Sequence, residues 1–433
     1  MDKFNYLTKN KKLLTLNCGS SSIKYSLWVI PEYKMFCNGI IDRINSDNSK
    51  IVFNTNHGIN FEHNVRIESY MHAINLVLNV LIDPKNRVLK SLSEVDAVVH
   101  RVVHGGLKFR NSTIINNVVL KEIENLINIA PLHNPHNLLG IKSVMKAIPS
   151  IPQIAVFDTA FFSNMPPHTH IYGVPYEWFD KYGIRKYGFH GSSHLYVSRR
   201  ASVMLGKEPS KTSIIVLHIG NGVSITAIKN GIAYDQSMGF TPLEGAIMGT
   251  RCGDIDPSIP LYVMEKEGLT ARDMFLILNK KSGILGITGR YSDRRDLVEA
   301  VQTGDEKARL ALDLECYRLK KYIGAYFAAL GTLDAIVFTA GVGEHSSIHR
   351  EKVCRNLREL GIELDKQKNE QAIGEIEQDI SSQDSRIRIF VIPTREELVL
   401  IEDAFAILKG NYTDPDSFKY TFQERNFSAS IQN

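Results

Sequence analysis

Asn17, Gly19, Ser20, Ser21, Ser22 and Lys24 bring a carboxamide, a glycine, three hydroxyls and an ammonium into eight residues of the stretch LLTLNCGSSSIKYSLWVI, 13–30. Backbone N–H groups, hydroxyls and an ammonium are the donors that phosphate oxygens require. The order is not that of a P-loop, which runs G-x-x-x-x-G-K-[ST] into a helix. Taken alone, the stretch reads either as a phosphate-binding turn or as a Ser-rich surface hairpin. A similar pattern returns in SIIVLHIGNGVSITAIKNG, 213–231, where Gly220, Asn221, Gly222 and Ser224 stand between two apolar runs. Two strand–polar turn–strand units about 200 residues apart suggest an internal duplication.

Other chemically capable residues collect at the ends of apolar runs, where α/β proteins place ligands. Arg101 and His104 follow AVVH, His133 lies in APLHNPHN, and Asp158 ends IAVFD. His190 lies in RKYGFHGSSH, Arg251 and Asp254 in MGTRCGDIDP, and Glu396 and Glu397 in VIPTREEL. His100/His104 and His190/His194 have the i, i+4 spacing of a zinc site, but such a site needs a helix. The Gly-Gly and Gly-Ser breaks in both stretches argue against one. His57, His63 and His72 read as packed or capping residues.

The elements that must position these groups alternate. VDAVVHRVVHGG reads as a strand ending in a Gly-Gly turn, and IPQIAVFDTAFF as a buried strand. Residues 305–331 carry apolar side chains at helical spacing and end in glycine, which predicts a long amphipathic helix. It feeds LDAIVFTAGVGEHSS, a strand, a Gly turn and a helix start. Alternating strands and helices indicate an α/β class. The 433 residues, 43% hydrophobic and 23% charged, suffice for two domains. A net charge of +4 does not point to nucleic acid, and the run Lys9, Lys11, Lys12 reads as a solvated N-terminal tail. Five scattered cysteines without a C-x-x-C pair fit a reducing compartment without structural zinc. The N-terminal apolar stretch is too short for a signal-peptide core, and no run reaches the ~20 residues of a membrane helix. The expectation is a cytoplasmic protein with no membrane partner. The stretch after Ile407 lacks any apolar period and reads as a loose tail, flexible over 413–433.

NCGSSSIKY, HRVVHGG, APLHNP, VFDTAF, YGFHGSSH, HIGNGVS, GTRCGDIDP, TAGVGEH and VIPTREEL resemble, in order, the motifs of the acetate kinase family, from about Leu13 to Lys409. The resemblance implies the duplicated two-domain α/β fold of actin-like ATPases (ribonuclease H-like), with the active site in the interdomain cleft. It implies an N-terminal substrate and metal domain of 1–157 completed by 393–412, and a nucleotide-binding and dimerisation domain of 158–392. Asn17 and Glu396 resemble the residues that hold Mg²⁺ (with Mn²⁺ as a substitute), and Lys24 the ATP-phosphate lysine. Three segments resemble the nucleotide contacts: His218, Ile219, Gly220, Asn221 and Gly222; Asp293, Arg294 and Arg295; Gly341, Val342, Gly343, Glu344 and His345. Arg101 resembles the binder of the substrate carboxylate, and Asp158 the catalytic acidic group. His190 and Arg251 resemble the residues that stabilise the transition state. Val103, Leu132, Phe189 and Pro242 would form the pocket for the acyl methyl.

The implied activity is reversible phosphoryl transfer from ATP to acetate by direct in-line displacement, giving acetyl phosphate and ADP, a step of acetyl-CoA formation. A carboxylate nucleophile is already ionised at neutral pH, so no base is needed. What it needs is relief from repulsion between two anions, which two arginines, a histidine, a lysine and Mg²⁺ supply. Asp158 then reads as positioning an arginine or the metal's water shell, and Asp254 as orienting Arg251. His345, Arg395 and Phe162 depart from the family's usual residues. The alternatives are a propionate or other short-chain acyl kinase, and a catalytically silent actin-like nucleotide switch. Val103 narrows the acyl pocket and favours acetate. Pairing through the second domain, with the helix at 305–330 contributing, would make a homodimer.

Overall fold

The computed structural model describes residues 10–427. The first polar turn joins β1 (Lys11–Cys18) to β2 (Ile23–Ile30), antiparallel, with Asn17 opposite Lys24 and Cys18 opposite Ile23. The chain continues antiparallel through β3 (Lys34–Asp42), β4 (Lys50–Thr55) and β5 (Asn60–Asn64). On its other side β1 lies parallel to β6 (Ala97–Val102). Then come β7 (Thr113–Ile114) and β8 (Gln153–Phe157): β8 runs parallel to β6, and β7 closes the edge antiparallel to β8.

The second sheet repeats this plan. β9 (Ser213–Ile219), β10 (Val223–Lys229) and β11 (Ile232–Gln236) are antiparallel neighbours. β12 (Ala335–Thr339) lies parallel to β9, and the short β13 (Gln378–Asp379) pairs antiparallel with β14 (Arg388–Val391), itself parallel to β12. The order β11-β10-β9-β12-β14-β13 therefore matches β3-β2-β1-β6-β8-β7, direction for direction. All residues of β9 and β12 are buried, as expected of inner strands covered on both faces, and their sequences read as unbroken apolar runs.

Two units hold these sheets: one comprises the residues up to Phe161 together with those from Glu396 on, the other Phe162–Arg395. Both are α/β. In the second, the predicted long helix is Glu306–Leu330: the Asp305 side chain caps it by accepting from Ala308 N at 2.9 Å, and Gly331 ends it at φ +77°. Ala308, Leu312, Leu319, Ile323 and Tyr326 are its buried stripe.

Four sequence expectations differ from the structure. Lys11 and Lys12 are not tail residues: they belong to β1 and pair with Asp96 and Glu94, while Lys9 lies outside the described residues. A helix, Gly191–Met204, does start within HGSSH, because its first-turn N–H groups lack intrahelical partners anyway and tolerate Gly and Ser. In TAGVGEH the change from strand to helix is made not by a glycine but at Ala340, φ +63°, where Ala340–His345 follows β12 directly. Residues 413–427 are not a loose tail. Tyr420 and Phe422 are fully buried, Tyr420 and Phe422 stack at 4.8 Å, and Thr421 bonds Tyr33 at 2.6 Å. Their partners, Asp403 in the helix before them and Tyr33 near the other end of the chain, are not set by a local period. Among the described residues no helix is long and apolar enough to cross a membrane.

Candidate active site

In the first unit the site is built where β1, β6 and β8 end. Arg101, near the end of β6, meets Asp158, the residue after β8: Nε is 2.8 Å from Oδ1 and Nη2 is 2.8 Å from Oδ2. Asp158 is held in turn by its own N–H, which donates to Val102 O at 2.9 Å. Nη1 of Arg101 lies 3.3 Å from Oε1 of Glu396, the first residue of the helix Glu396–Lys409. Burial works against the Arg101 charge, but Asp158 and Glu396 outweigh it and raise its pKa above the ordinary arginine value. The loop after β6 is pinned by side chains: Val103 N donates to Asn137 Oδ1 at 3.1 Å and Gly105 N to Thr159 Oγ1 at 3.1 Å. Asn137 also donates to Cys18 O at 2.9 Å, tying this loop to the end of β1. Beside Glu396, Glu397 is buried on Ser26 Oγ at 2.8 Å.

In the second unit His190 caps the helix Gly191–Met204 in the left-handed region, φ +60° and ψ 32°, a strained conformation that clusters at functional sites. Its Nδ1 is 2.8 Å from Ser224 Oγ, and His194 Nε2 is 2.7 Å from the same oxygen. The His190 ring stacks on His218 at 4.2 Å, and His218 Nδ1 bonds Ser193 at 2.8 Å. Burial, then the nearness of His218, holds His194 neutral. Arg251 Nη1 donates to Pro242 O at 3.0 Å and has no carboxylate contact among the described residues. Burial pushes its pKa down to about 10, so it stays a cation at neutral pH. Asp254 does not orient it: its carboxylate accepts from Gly245 N at 2.8 Å and Tyr322 Oη at 2.7 Å.

Within the second unit, His190 and Arg251 both approach Gly222. A Cβ there would stand 3.3 Å from Cε1 of His190 and 3.5 Å from Nη1 of Arg251, so both side chains lie against the backbone of this tip. The other two residues of this hairpin tip, Gly220 and Asn221, line a cavity of about 760 Å³. Asp293, Arg294, Arg295, Gly341, Val342 and His345 also line it, so all three predicted nucleotide segments contribute to one cavity. His218, Ile219, Gly222, Gly343 and Glu344 do not line it. Glu344 instead stitches the second unit: its Oε1 accepts from Ala340 N at 2.7 Å and Thr394 N at 2.8 Å.

The duplication is visible at the level of single residues. Asn17 and Lys24 form the last pair but one before the first turn, and His218 and Ser224 hold the same place in the second. Each tip is closed by one backbone bond, Gly19 N to Ser22 O at 2.8 Å and Gly220 N to Gly222 O at 3.0 Å. Of the acyl-pocket candidates, Val103 and Leu132 belong to the first unit, Phe189 and Pro242 to the second. Phe162, one of the departures, is buried against Gly188 and meets the His194 ring edge-on at 6.0 Å.

Sequence reading missed the supports. Ser224 was visible in GNGVS without a role. Arg350 left no signal beyond a cation in a helical stretch, yet it is fully buried and all five of its N–H groups reach oxygens. Nη1 bonds Gly343 O at 2.9 Å and Glu344 O at 2.8 Å, Nη2 bonds Asn369 O at 2.8 Å and Ala372 O at 3.1 Å, and Nε bonds Asn369 Oδ1 at 2.7 Å. It thereby holds the end of the Gly341–His345 segment.

Known proteins resemble this chain along most of their length. The acetokinase family model matches residues 12–402. The acetate kinase of Geobacter metallireducens is 49% identical over 96% of this chain and 100% of its own, and that of Thermotoga maritima is 51% identical over 92% and 99%. A crystal structure of Porphyromonas gingivalis acetate kinase superposes with a TM-score of 0.85 at 45% identity, covering 92% of this chain and 100% of that one. A propionate kinase from Francisella tularensis also reaches 0.85, at 39% identity over 91% and 98%. With a matching family model over most of its residues and relatives half identical end to end, the chain belongs to the acetokinase family.

Proposed function

We propose that the protein is an acetate kinase, transferring the terminal phosphoryl group of ATP to acetate, reversibly and in line, to give acetyl phosphate and ADP. One observation carries this: the hairpin tip Gly220–Gly222 borders the cavity of the three nucleotide segments and also meets His190 and Arg251. A nucleotide in that cavity would bring its phosphates along the tip toward a cation and an imidazole. Arg101 takes the acetate carboxylate, oriented by Asp158 and Glu396. Val103, Leu132, Phe189 and Pro242 receive the methyl group, and Lys24 reaches a phosphate.

Acetate attacks as the ionised carboxylate, so Asp158 serves by fixing Arg101 rather than by taking a proton. As the phosphoryl group moves, charge spreads over its oxygens, and Arg251 and His190 donate to it. Among the described residues no cluster of three His, Cys, Asp or Glu side chains is placed to hold a metal. Mg²⁺ does not require one: it keeps several waters and shares oxygen ligands with phosphates. The carboxamide of Asn17 and the carboxylate of Glu396 are oxygen donors that fit it, and when bound it neutralises phosphate charge. Five free cysteines support a reducing, cytoplasmic setting. A homodimer is supported by the helix Ser258–Glu267, which buries no residue and exposes Ile259, Leu261 and Tyr262. The long helix Glu306–Leu330 spends most of its apolar side within its own unit.

The deciding experiment is a hydroxamate assay of acyl phosphate with ATP, Mg²⁺ and acetate, propionate or butyrate. Acetate should be preferred and propionate poorer, one methylene being worth about 1–3 kcal/mol. Preference for propionate would favour the second reading, which the Francisella tularensis relative supports. Nucleotide binding without any acyl phosphate would leave a silent switch. Sedimentation at micromolar concentration should give about twice 48.8 kDa; a single-chain mass sinks the dimer.

A further inference from the structure

Glu315 lies in the helix Glu306–Leu330 with 0% of its side chain exposed. Its Oε1 accepts from Arg294 Nη2 at 2.8 Å and Nε at 3.3 Å. Its Oε2 faces Nε2 of His349 at 3.4 Å, and both atoms are buried with no hydrogen-bond partner among the described residues. Both neighbours lead to the nucleotide cavity. Arg294 lines it and places Nη1 3.5 Å from Asn221 O on the hairpin tip. His349 Nδ1 is 2.7 Å from the hydroxyl of Ser346, which also lines the cavity.

Packing does not account for this carboxylate. Replacing a buried ion pair by apolar side chains of similar volume is often neutral or stabilising, so a charge kept at full burial points to a positional task. Here one carboxylate reaches all three cavity segments: 292–295 directly, the hairpin tip through Arg294, and 341–348 through His349 and Ser346. We infer that Glu315 is a positioning residue for the nucleotide, holding these segments in one geometry through Arg294 and through the His349–Ser346 pair. The inference rests on the reading of this cavity as a nucleotide site. The facing of Oε2 and Nε2 sets the direction of the His349 ring, and with it the place of the Ser346 hydroxyl.

The test is calorimetric titration of the full chain with MgADP, for wild type, Glu315→Gln, Ser346→Ala and the double variant, alongside steady-state kinetics. Glu315→Gln should bind ADP about tenfold more weakly while the acetate KM stays within about twofold, a split that general loosening of the fold would not give. Ser346→Ala should cost less in the Glu315→Gln background than in wild type, because the serine is already unfixed there. Unchanged ADP affinity in Glu315→Gln, a parallel rise of the acetate KM, or strict additivity overturns the inference. Wild type that binds no ADP overturns the nucleotide reading itself, and the inference with it. Should Glu315→Gln fail to fold by circular dichroism, His349→Gln breaks only the serine branch. A loss of about threefold or more in ADP affinity then supports the inference, and unchanged affinity overturns it.

Discussion

Arg101 and Asp158 meet plane to plane, two nitrogens on two oxygens at 2.8 Å each, with Glu396 at 3.3 Å from the remaining terminal nitrogen. Among the described residues the Arg251 guanidinium has no such company; its hydrogen bonds go to the Pro242 carbonyl and the Met248 sulfur. The two arginines are therefore different tools. One has its direction set by carboxylates, and the other is a half-buried cation without a carboxylate partner among the described residues.

Asp158→Asn should break the two-point contact and leave Arg101 misaimed. The acetate KM should rise tenfold or so, and the loss should be mostly shared with Arg101→Ala, so that the double variant adds little. Breaking a buried pair by removing one partner costs up to about 3–5 kcal/mol, so the melting temperature should fall as well. Steady-state kinetics decide: a fall in kcat with an unchanged acetate KM would speak for proton transfer by Asp158 instead.

Arg251→Ala should lower kcat by about 10²–10³ with little change in the acetate KM, because its charge is used as the phosphoryl group moves. Arg251→Lys should rescue poorly, since it keeps the charge but not the planar fork. If Arg251→Ala shifts only the KM, Arg251 is a ground-state binder.

Ser224→Ala removes an oxygen that lies within hydrogen-bond distance of both His190 and His194. We expect kcat to drop about tenfold with ADP affinity intact, the size of a single neutral hydrogen bond. Equal loss of ADP affinity would mean that the change has spread into the cavity.

Glu402 and Asp403, under the C-terminal segment, give stability a pH dependence. Burial raises Glu402 to about 8 and Asp403 to about 7. The unfolded chain loses these protons near the ordinary carboxylate value of about 4. Between those limits the folded state holds more protons, so the contribution is complete at low pH and disappears as pH rises through about 7 to 8. Melting temperature should fall between pH 6 and pH 9, and Glu402→Gln should flatten that fall. Matching slopes in the two proteins would exclude Glu402 as the cause.

What the chain by itself determined is its local chemistry and its repeated plan. Strand–polar turn–strand patterns at Asn17–Lys24 and His218–Ser224 announced two hairpins, because apolar runs and turn residues encode strands within a few positions. The long helix was equally plain, with Asp305 before it and Gly331 after it. Tertiary structure alone decided the partners. Nothing near Asp158 in sequence says that it faces Arg101, and nothing near Glu315 says that it reaches Arg294 and His349. The segment of Tyr420 and Phe422 is placed by Asp403, which accepts from Tyr420, and by Tyr33, which bonds Thr421 between them. A side chain's type is written where it stands, but its hydrogen-bond partner and its burial are set by segments far along the chain, brought close only when the sheets form.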